Sequence, residues 1–295
     1  MNPQVSRRAW LLLASLALGW GFNWPMMKIA LAKVPLWSYR GLCCYVAGIA
    51  LLCIARASGQ SIAVARRHWV AVVWIALFNV AVWNVLSAIG VALLPSGRAA
   101  ILAYTMPVWS ILMAWFFLGE RLLTQRFLAL VAGMAGMALL LTAELRTIGG
   151  EPVGTVIMLT SALGWAYGTI LLKRDAPPIP ATVLTAWMLL IGGTPFVFGA
   201  IGDSTDWWRA LELRTALAVA YTVLVSFVYC YWAWFKLALM LPVATSSLGS
   251  LMVPVIGVIG GMSLLGETPR WSDYAALVCV AAAIVLALRT PATRT

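Results

Sequence analysis

The sequence predicts an all-α membrane protein, with ten transmembrane helices forming two inverted five-helix repeats around a central cavity. Three observations predict it. The 295 residues are 63% hydrophobic and only 10% charged, with 16 tryptophans, a composition foreign to soluble domains of this size. The apolar residues gather into ten runs, each close to the length that crosses a bilayer. One of these runs occurs twice. Leu94-Pro95-Ser96-Gly97-Arg98 opens a run that carries Pro107 in its middle and closes at Leu118-Gly119-Glu120. Leu241-Pro242-Val243-Ala244-Thr245 opens another, with Pro254 in its middle and Leu265-Gly266-Glu267 at its end. In both, twelve residues lead from proline to proline and thirteen more to the glutamate, at a constant offset of 147.

The runs lie at 9–31, 36–55, 69–94, 97–118, 124–142, 152–173, 180–201, 214–240, 243–265 and 272–288. The first follows Arg7-Arg8, but it is too long for a signal peptide and lacks a small-residue cleavage pattern, so it reads as a span. Turn-forming stretches at 56–60, 94–97, 149–152, 176–180 and 202–206 separate runs further along. In the fourth and ninth runs the internal proline removes a backbone donor and frees a carbonyl. In lipid only neighbouring helices or a wet cavity can satisfy such groups. Interrupted helices at matching places in two halves point to a transporter's central site.

Gly149-Gly150 divides the chain into 1–148 and 149–295, with five runs in each part. The first helices of the two parts also align, Gly19-Trp20 with Gly164-Trp165 and Lys28 with Lys173, at an offset of 145. Because five is odd, the second part must enter the membrane from the opposite side, which makes the repeats inverted. With a cytoplasmic N-terminus, the inside segments hold twelve of the twenty basic residues but only Glu120 and Asp175 of the nine acids. This bias places both termini in the cytoplasm. The formal charge of +11 is spread between the runs without a cluster, so no nucleic-acid partner is expected. The five cysteines fall within apolar runs, show no metal or disulfide spacing, and read as packing residues.

The polar and aromatic residues inside the runs are the candidates for solute contact. Trp20, Asn23, Trp24 and Met27 recur at three-and-four spacing and share a face of the first helix. A mid-membrane amide such as Asn23 is costly unless it faces a partner or water. The third helix offers Asn79, Trp83, Asn84 and Ser87; the eighth answers at equivalent positions with Ser226, Cys230 and Tyr231, with Tyr229 beside them. Trp165 is the sixth-helix counterpart of Trp20, and the ninth helix presents Thr245, Ser246, Gly249 and Ser250. The expected solute-binding set is therefore Trp20, Asn23, Trp24, Asn79, Trp83, Asn84, Trp165, Tyr229, Tyr231, Ser246 and Ser250. The competing reading makes the small polar residues glue between helices. Trp69, Trp207, Trp208 and Trp271, at the ends of runs, belong to an interfacial belt. Ring faces attract an ammonium group and stack on aromatic solutes, while amides and hydroxyls bond a carboxylate without a fixed charge that would trap it.

No Asp or Glu lies deep in any predicted run, and the single histidine, His68, sits at a membrane edge beside Arg66 and Arg67. A dedicated proton-relay carboxylate is therefore not expected. Metal clusters, nucleophile–base pairs and phosphate-cradling glycine loops are missing as motifs, so neither enzymatic activity nor a cofactor is expected. Inverted symmetry places Lys28 and Glu267 near the outer face and Lys173 and Glu120 near the inner one, as candidate gates. The plainer reading has the lysines snorkel and each glutamate favour the dipole of the helix that follows it.

Two five-helix parts, each with a proline-interrupted fourth helix ending Leu-Gly-Glu, resemble the ten-helix EamA-type branch of the drug/metabolite transporter superfamily over nearly the whole chain. The aromatic-rich first, third, sixth and eighth helices look most like those of bacterial exporters of aromatic and neutral amino acids. The resemblance implies two EamA-like repeats and a cavity lined by helices one, three, four, six, eight and nine, opened to either side in turn. It also implies a bacterial inner (plasma) membrane location, contact with lipid, and a small-molecule substrate. That substrate is expected to be an amino acid, aromatic or large neutral, or a related metabolite. Export of another metabolite such as a nucleoside, and a non-transporting membrane scaffold, are the alternatives. Small multidrug antiporters of the superfamily rely on a glutamate in the first helix; none lies between Arg8 and Lys28, which favours facilitated export or exchange. A reporter fused after Arg294 is expected in the cytoplasm and one inserted at Gly149–Glu151 in the periplasm; finding both on one side would break the odd-span argument.

Overall fold

A computed structural model describes residues 7–119, 152–204, 206–240 and 252–288, with 128, 131, 132, 134, 135 and 139 between them. Helices and short connections account for these residues, and no strand occurs among them. The helices are α1 (Arg7–Leu31), α2 (Leu36–Ala57), α3 (Trp69–Ala76), α4 (Trp83–Leu93), α5 (Ser96–Ala103), α6 (Met106–Leu118), α7 (Pro152–Asp175), α8 (Ala181–Ala200), α9 (Leu213–Tyr221), α10 (Tyr231–Met240), α11 (Met252–Leu265) and α12 (Trp271–Leu288). Six stretches among the described residues are long and apolar enough to cross a membrane: Leu36–Ala57, Arg66–Leu93, Ser96–Phe117, Pro152–Asp175, Ala181–Ala200 and Leu213–Leu237. Large apolar side chains such as Leu18, Ile49, Phe116 and Leu224 point outward and are exposed, as a hydrocarbon surround requires. The expected fifth run, 124–142, falls almost wholly outside the described residues, as does the opening of the ninth.

Two expected runs are not regular α-helices. Between α3 and α4 the chain forms a π-helix at Leu77–Val82, and between α9 and α10 another at Thr222–Cys230. The repeat offset of 147 carries the first segment into the second. A π turn closes its hydrogen bonds five residues back instead of four, so residues on its two sides no longer share the face that α-helical spacing assigns. The fourth run is broken as its proline suggests, at Tyr104–Thr105, between α5 and α6. Pro107 lies at the start of α6, where an amide hydrogen is not needed. The Thr105 hydroxyl donates to the Leu102 carbonyl at 2.7 Å, so the break is answered locally. Gly119 (φ 65°) and Gly266 (φ 66°) both end their helices in the left-handed region, which accounts for the glycine of each Leu-Gly-Glu.

The most extensive helix pairings join the first part of the chain to the second. Helix α2 runs along α8, and α1 packs on α11 and on the α9 stretch with its π segment. Reciprocally, α7 packs on α4 and its π segment and on α6. Gly19 and Gly164 show why this approach is possible. A Cβ on Gly19 would lie 2.5 Å from the Cys230 sulfur, and one on Gly164 would lie 2.8 Å from a Val82 methyl. Small residues at these crossings let two backbones meet.

A buried ion pair joins the fourth run to the tenth. Arg98 is 4% exposed, and Asp273, at the start of the tenth run, is 6% exposed. The Arg98 Nε donates to Asp273 Oδ1 at 2.8 Å and its Nη2 to Oδ2 at 3.2 Å, which ties α5 to α12. The Arg270 backbone amide donates to the same carboxylate at 2.8 Å. Truncating one member of a buried pair leaves the other member's charge uncompensated, at a cost of about 3–5 kcal/mol. Arg98→Ala is therefore expected to lower the thermal unfolding temperature of the detergent-solubilised protein sharply. The apolar double variant Arg98→Met/Asp273→Leu should lose less than either single truncation.

Candidate functional site

One cavity lies where the two parts of the chain meet. Its walls come from α1 (Trp20, Asn23, Trp24, Met27), α4 (Trp83, Asn84, Ser87) and α7 (Trp165). Tyr104 and Met106, at the break in the fourth run, and Ser226, Phe227 and Tyr231, at and beyond the second π segment, complete it together with Arg40 of α2. The aromatic wall is continuous. The rings of Trp20 and Trp165 meet edge to face with centroids 6.0 Å apart, and Tyr231 lies 6.0 Å from Trp20 and 5.9 Å from Trp165. Trp83 lies 5.0 Å from Trp165. Edge-to-face and tilted contacts of this kind leave the negative ring faces available to a cation or an aromatic solute.

Two of these contacts join positions that the sequence repeat equates. Trp20 and Trp165 are separated by the first-helix offset of 145, and Asn84 and Tyr231 by the offset of 147. The Asn84 side-chain amide donates to the Tyr231 hydroxyl at 3.0 Å and to the Val80 carbonyl at 2.8 Å. Asn23, also in the wall, has a buried side-chain oxygen with no hydrogen-bond partner.

The other expected residues lie elsewhere. Asn79 is fully buried away from the cavity, where its side chain packs so closely on Gly168 of α7 that a Cβ there would lie 2.2 Å from it. Asn79 and Asn84, five residues apart, thus face different surroundings. Tyr229 turns outward to a hydrogen bond with the Ser15 hydroxyl. Ser246, Ser250 and Glu120 lie outside the described residues. Lys173 is exposed in the last turn of α7.

Sequence reasoning missed Arg40, Tyr104, Met106 and Phe227 of the wall, and Trp234 beside it. Trp234 of α10 joins the aromatic cluster, 5.7 Å from Trp20 and 6.2 Å from Trp165. Arg40 is 2% exposed and lines the cavity. Its Nη2 donates to the Met27 sulfur at 2.6 Å and to the Ser87 hydroxyl at 3.3 Å. The guanidinium carbon lies 5.3 Å from the Tyr39 ring centre and 5.8 Å from that of Phe227. The signal was present: an ionisable residue within an apolar run is a functional candidate by default.

At the start of α5, Glu267 reaches into the other part of the chain. Its carboxylate accepts from the Ser96 amide at 2.8 Å, the Ser96 hydroxyl at 2.9 Å and the Gly97 amide at 3.3 Å. It thus caps the N-terminus of α5, in the other part of the chain, and not the helix that follows it in sequence. Lys28 brings its ammonium to 4.0 Å from Glu267 and donates to the Leu94 carbonyl. The first helix, the Pro95 turn and the end of α11 are thereby held together.

The EamA-like transporter family matches the chain twice, over residues 7–142 and 152–289. The chain is similar to YvbV, an uncharacterized transporter of Bacillus subtilis: 26% identical over 290 residues, 97% of this chain and 93% of that protein. It is similar also to a probable amino-acid metabolite efflux pump of Salmonella typhimurium, 25% identical over 201 residues, 65% of this chain and 67% of the pump. A crystal structure of another protein superposes with a TM-score of 0.69 at 20% identity, covering 96% of this chain and 98% of that one, and so shares its fold.

Proposed function

This chain belongs to the EamA-like transporter family of the drug/metabolite transporter superfamily, and we propose that it exports amino acids, aromatic or large neutral ones, and related metabolites across the bacterial inner membrane. The observation that carries this reading is the contact between repeat-equivalent residues in the cavity wall, Trp20 with Trp165 and Asn84 with Tyr231. Two positions exchanged by a two-fold axis can touch only close to that axis. These contacts therefore support ten helices in two inverted parts, 1–148 and 149–295, whose axis in the membrane plane passes through the cavity. A site on such an axis can be presented to either face by rocking one part against the other.

The chemistry of the wall suits amino acids. Trp20, Trp24, Trp83, Trp165 and Tyr231 offer ring faces for an apolar or aromatic side chain, while Asn23, Asn84 and Ser87 offer partners for the polar head. The name of the Salmonella pump supports the same substrate class. Both termini are placed in the cytoplasm.

In this reading the joint of Lys28, Glu267 and the Ser96–Gly97 amides closes the outer face, with Lys173 and Glu120 as its counterpart at the inner face. Cysteines at positions 28 and 267, joined by a short bifunctional thiol reagent, are expected to arrest transport. Undiminished transport with the link in place would remove the gate from the scheme.

The pocket is tested by Trp83→Ala. An aromatic stacking contact contributes about 0.5–1.5 kcal/mol, which is several-fold in apparent affinity. The variant should therefore compete several-fold more weakly for tyrosine and change little for alanine, in proteoliposomes loaded with one labelled amino acid. Asn84→Ala should weaken tyrosine, leucine and alanine alike. Equal losses for tyrosine and alanine in Trp83→Ala would assign that ring to packing.

A further inference from the structure

We infer that the cavity selects solutes that carry a carboxylate, held by the guanidinium of Arg40, and that the Asn23 amide oxygen receives the ammonium of the same solute. This deepens the export reading above and rests on its assignment of the cavity as the solute site.

Arg40 is the fifth residue of α2, inside the bundle and 2% exposed. Among the described residues no carboxylate lies within ion-pair distance of it; the acids near the joints are engaged elsewhere. Asp273 pairs with Arg98, Glu267 caps Ser96 and Gly97, and Asp203 accepts from the Ser38 amide and hydroxyl at 2.8 and 2.6 Å. What Arg40 does touch is soft or neutral: a thioether, a hydroxyl and two ring faces. Its Nε is buried with no hydrogen-bond partner at all.

A guanidinium stays charged, and its planar fork of donors matches a carboxylate in two parallel hydrogen bonds. Leaving such a charge unpaired in an apolar interior is expensive, so a protein that keeps one there has a partner for it that arrives from outside. The second orphan in the same wall has the opposite sense. The Asn23 side-chain oxygen is a buried acceptor without a donor. One cavity is thus lined by an unmatched cationic donor, an unmatched neutral acceptor and aromatic faces, which is the complement of an α-amino acid. An amine without a carboxylate would meet the like charge of Arg40, and a nucleoside would leave it unpaired.

Three probes with one ring and different heads separate the possibilities: phenylalanine (zwitterion), phenylacetate (anion) and phenethylamine (cation). Binding to the purified, detergent-solubilised full chain is followed by isothermal titration. Wild type is expected to bind phenylalanine at least tenfold more tightly than phenethylamine. Arg40→Gln should weaken both carboxylates at least tenfold and erase that preference; Arg40→Lys should retain part of it. Asn23→Ala should weaken phenylalanine several-fold and leave phenylacetate unchanged. Chromatographic behaviour and thermal unfolding confirm that each variant is folded. Phenethylamine binding as well as phenylalanine in wild type, or a folded Arg40→Gln that keeps the preference, would overturn the inference. Binding of phenylacetate without phenylalanine would uphold the carboxylate site and remove both the Asn23 role and the amino-acid reading. A wild-type protein that binds none of the three overturns both.

Discussion

A hydrocarbon surround supplies no hydrogen bonds, so every departure from a regular helix in this molecule has to be answered from within the protein. The fourth run departs most, and its answers hold the fold together. The Thr105 hydroxyl closes the break between α5 and α6, and Glu267 reaches across from α11 to take the free amides of Ser96 and Gly97. Arg98, the next residue, is answered by Asp273 of α12. The Ser96 amide and hydroxyl, the Gly97 amide and the Arg98 guanidinium all find partners in the other part of the chain. Position of the broken helix and association of the two parts are one and the same set of bonds.

The packing around that joint is reciprocal. The first helix of each part crosses the π segment of the other, at Gly19 on Cys230 and at Gly164 on Val82. Without side chains at these two crossings the rings next to them, Trp20 and Trp165, can meet in the middle. The cavity is thus a consequence of close backbone approach: the glycines bring the helices together and the neighbouring tryptophans line what remains between them.

Charge decides the chemistry of that space. Amides and rings alone would accept many neutral solutes with similar affinity, whereas on the inference drawn above one guanidinium without a counter-charge would rank them by their head group. Arg98 and Arg40 are buried to a similar degree and differ in this respect. The first is matched by a carboxylate of the protein and serves structure; the second is matched by thioether, hydroxyl and ring faces and leaves a donor unused.

Much of this was legible in the sequence, because it is written in local order. Apolar run lengths, the doubled Pro–Pro–Gly-Glu spacing, and the face shared by Trp20, Asn23, Trp24 and Met27 depend on helical periodicity alone. The left-handed Gly119 and Gly266 likewise follow from the Leu-Gly-Glu turns. What tertiary structure alone decided involves either a break in that periodicity or a distance between elements. The π segments, at Leu77–Val82 and Thr222–Cys230, leave no mark in composition. Glu267 reads locally as a cap for the helix after it, but the amides it finds belong to Ser96 and Gly97, 171 and 170 residues away. Arg40 counts as one more basic residue near a helix end until α1, α4 and the second π segment close around it. Periodicity determines which residues share a helix face; which charge meets a carboxylate of the protein, and which does not, depends on packing between helices far apart in the chain.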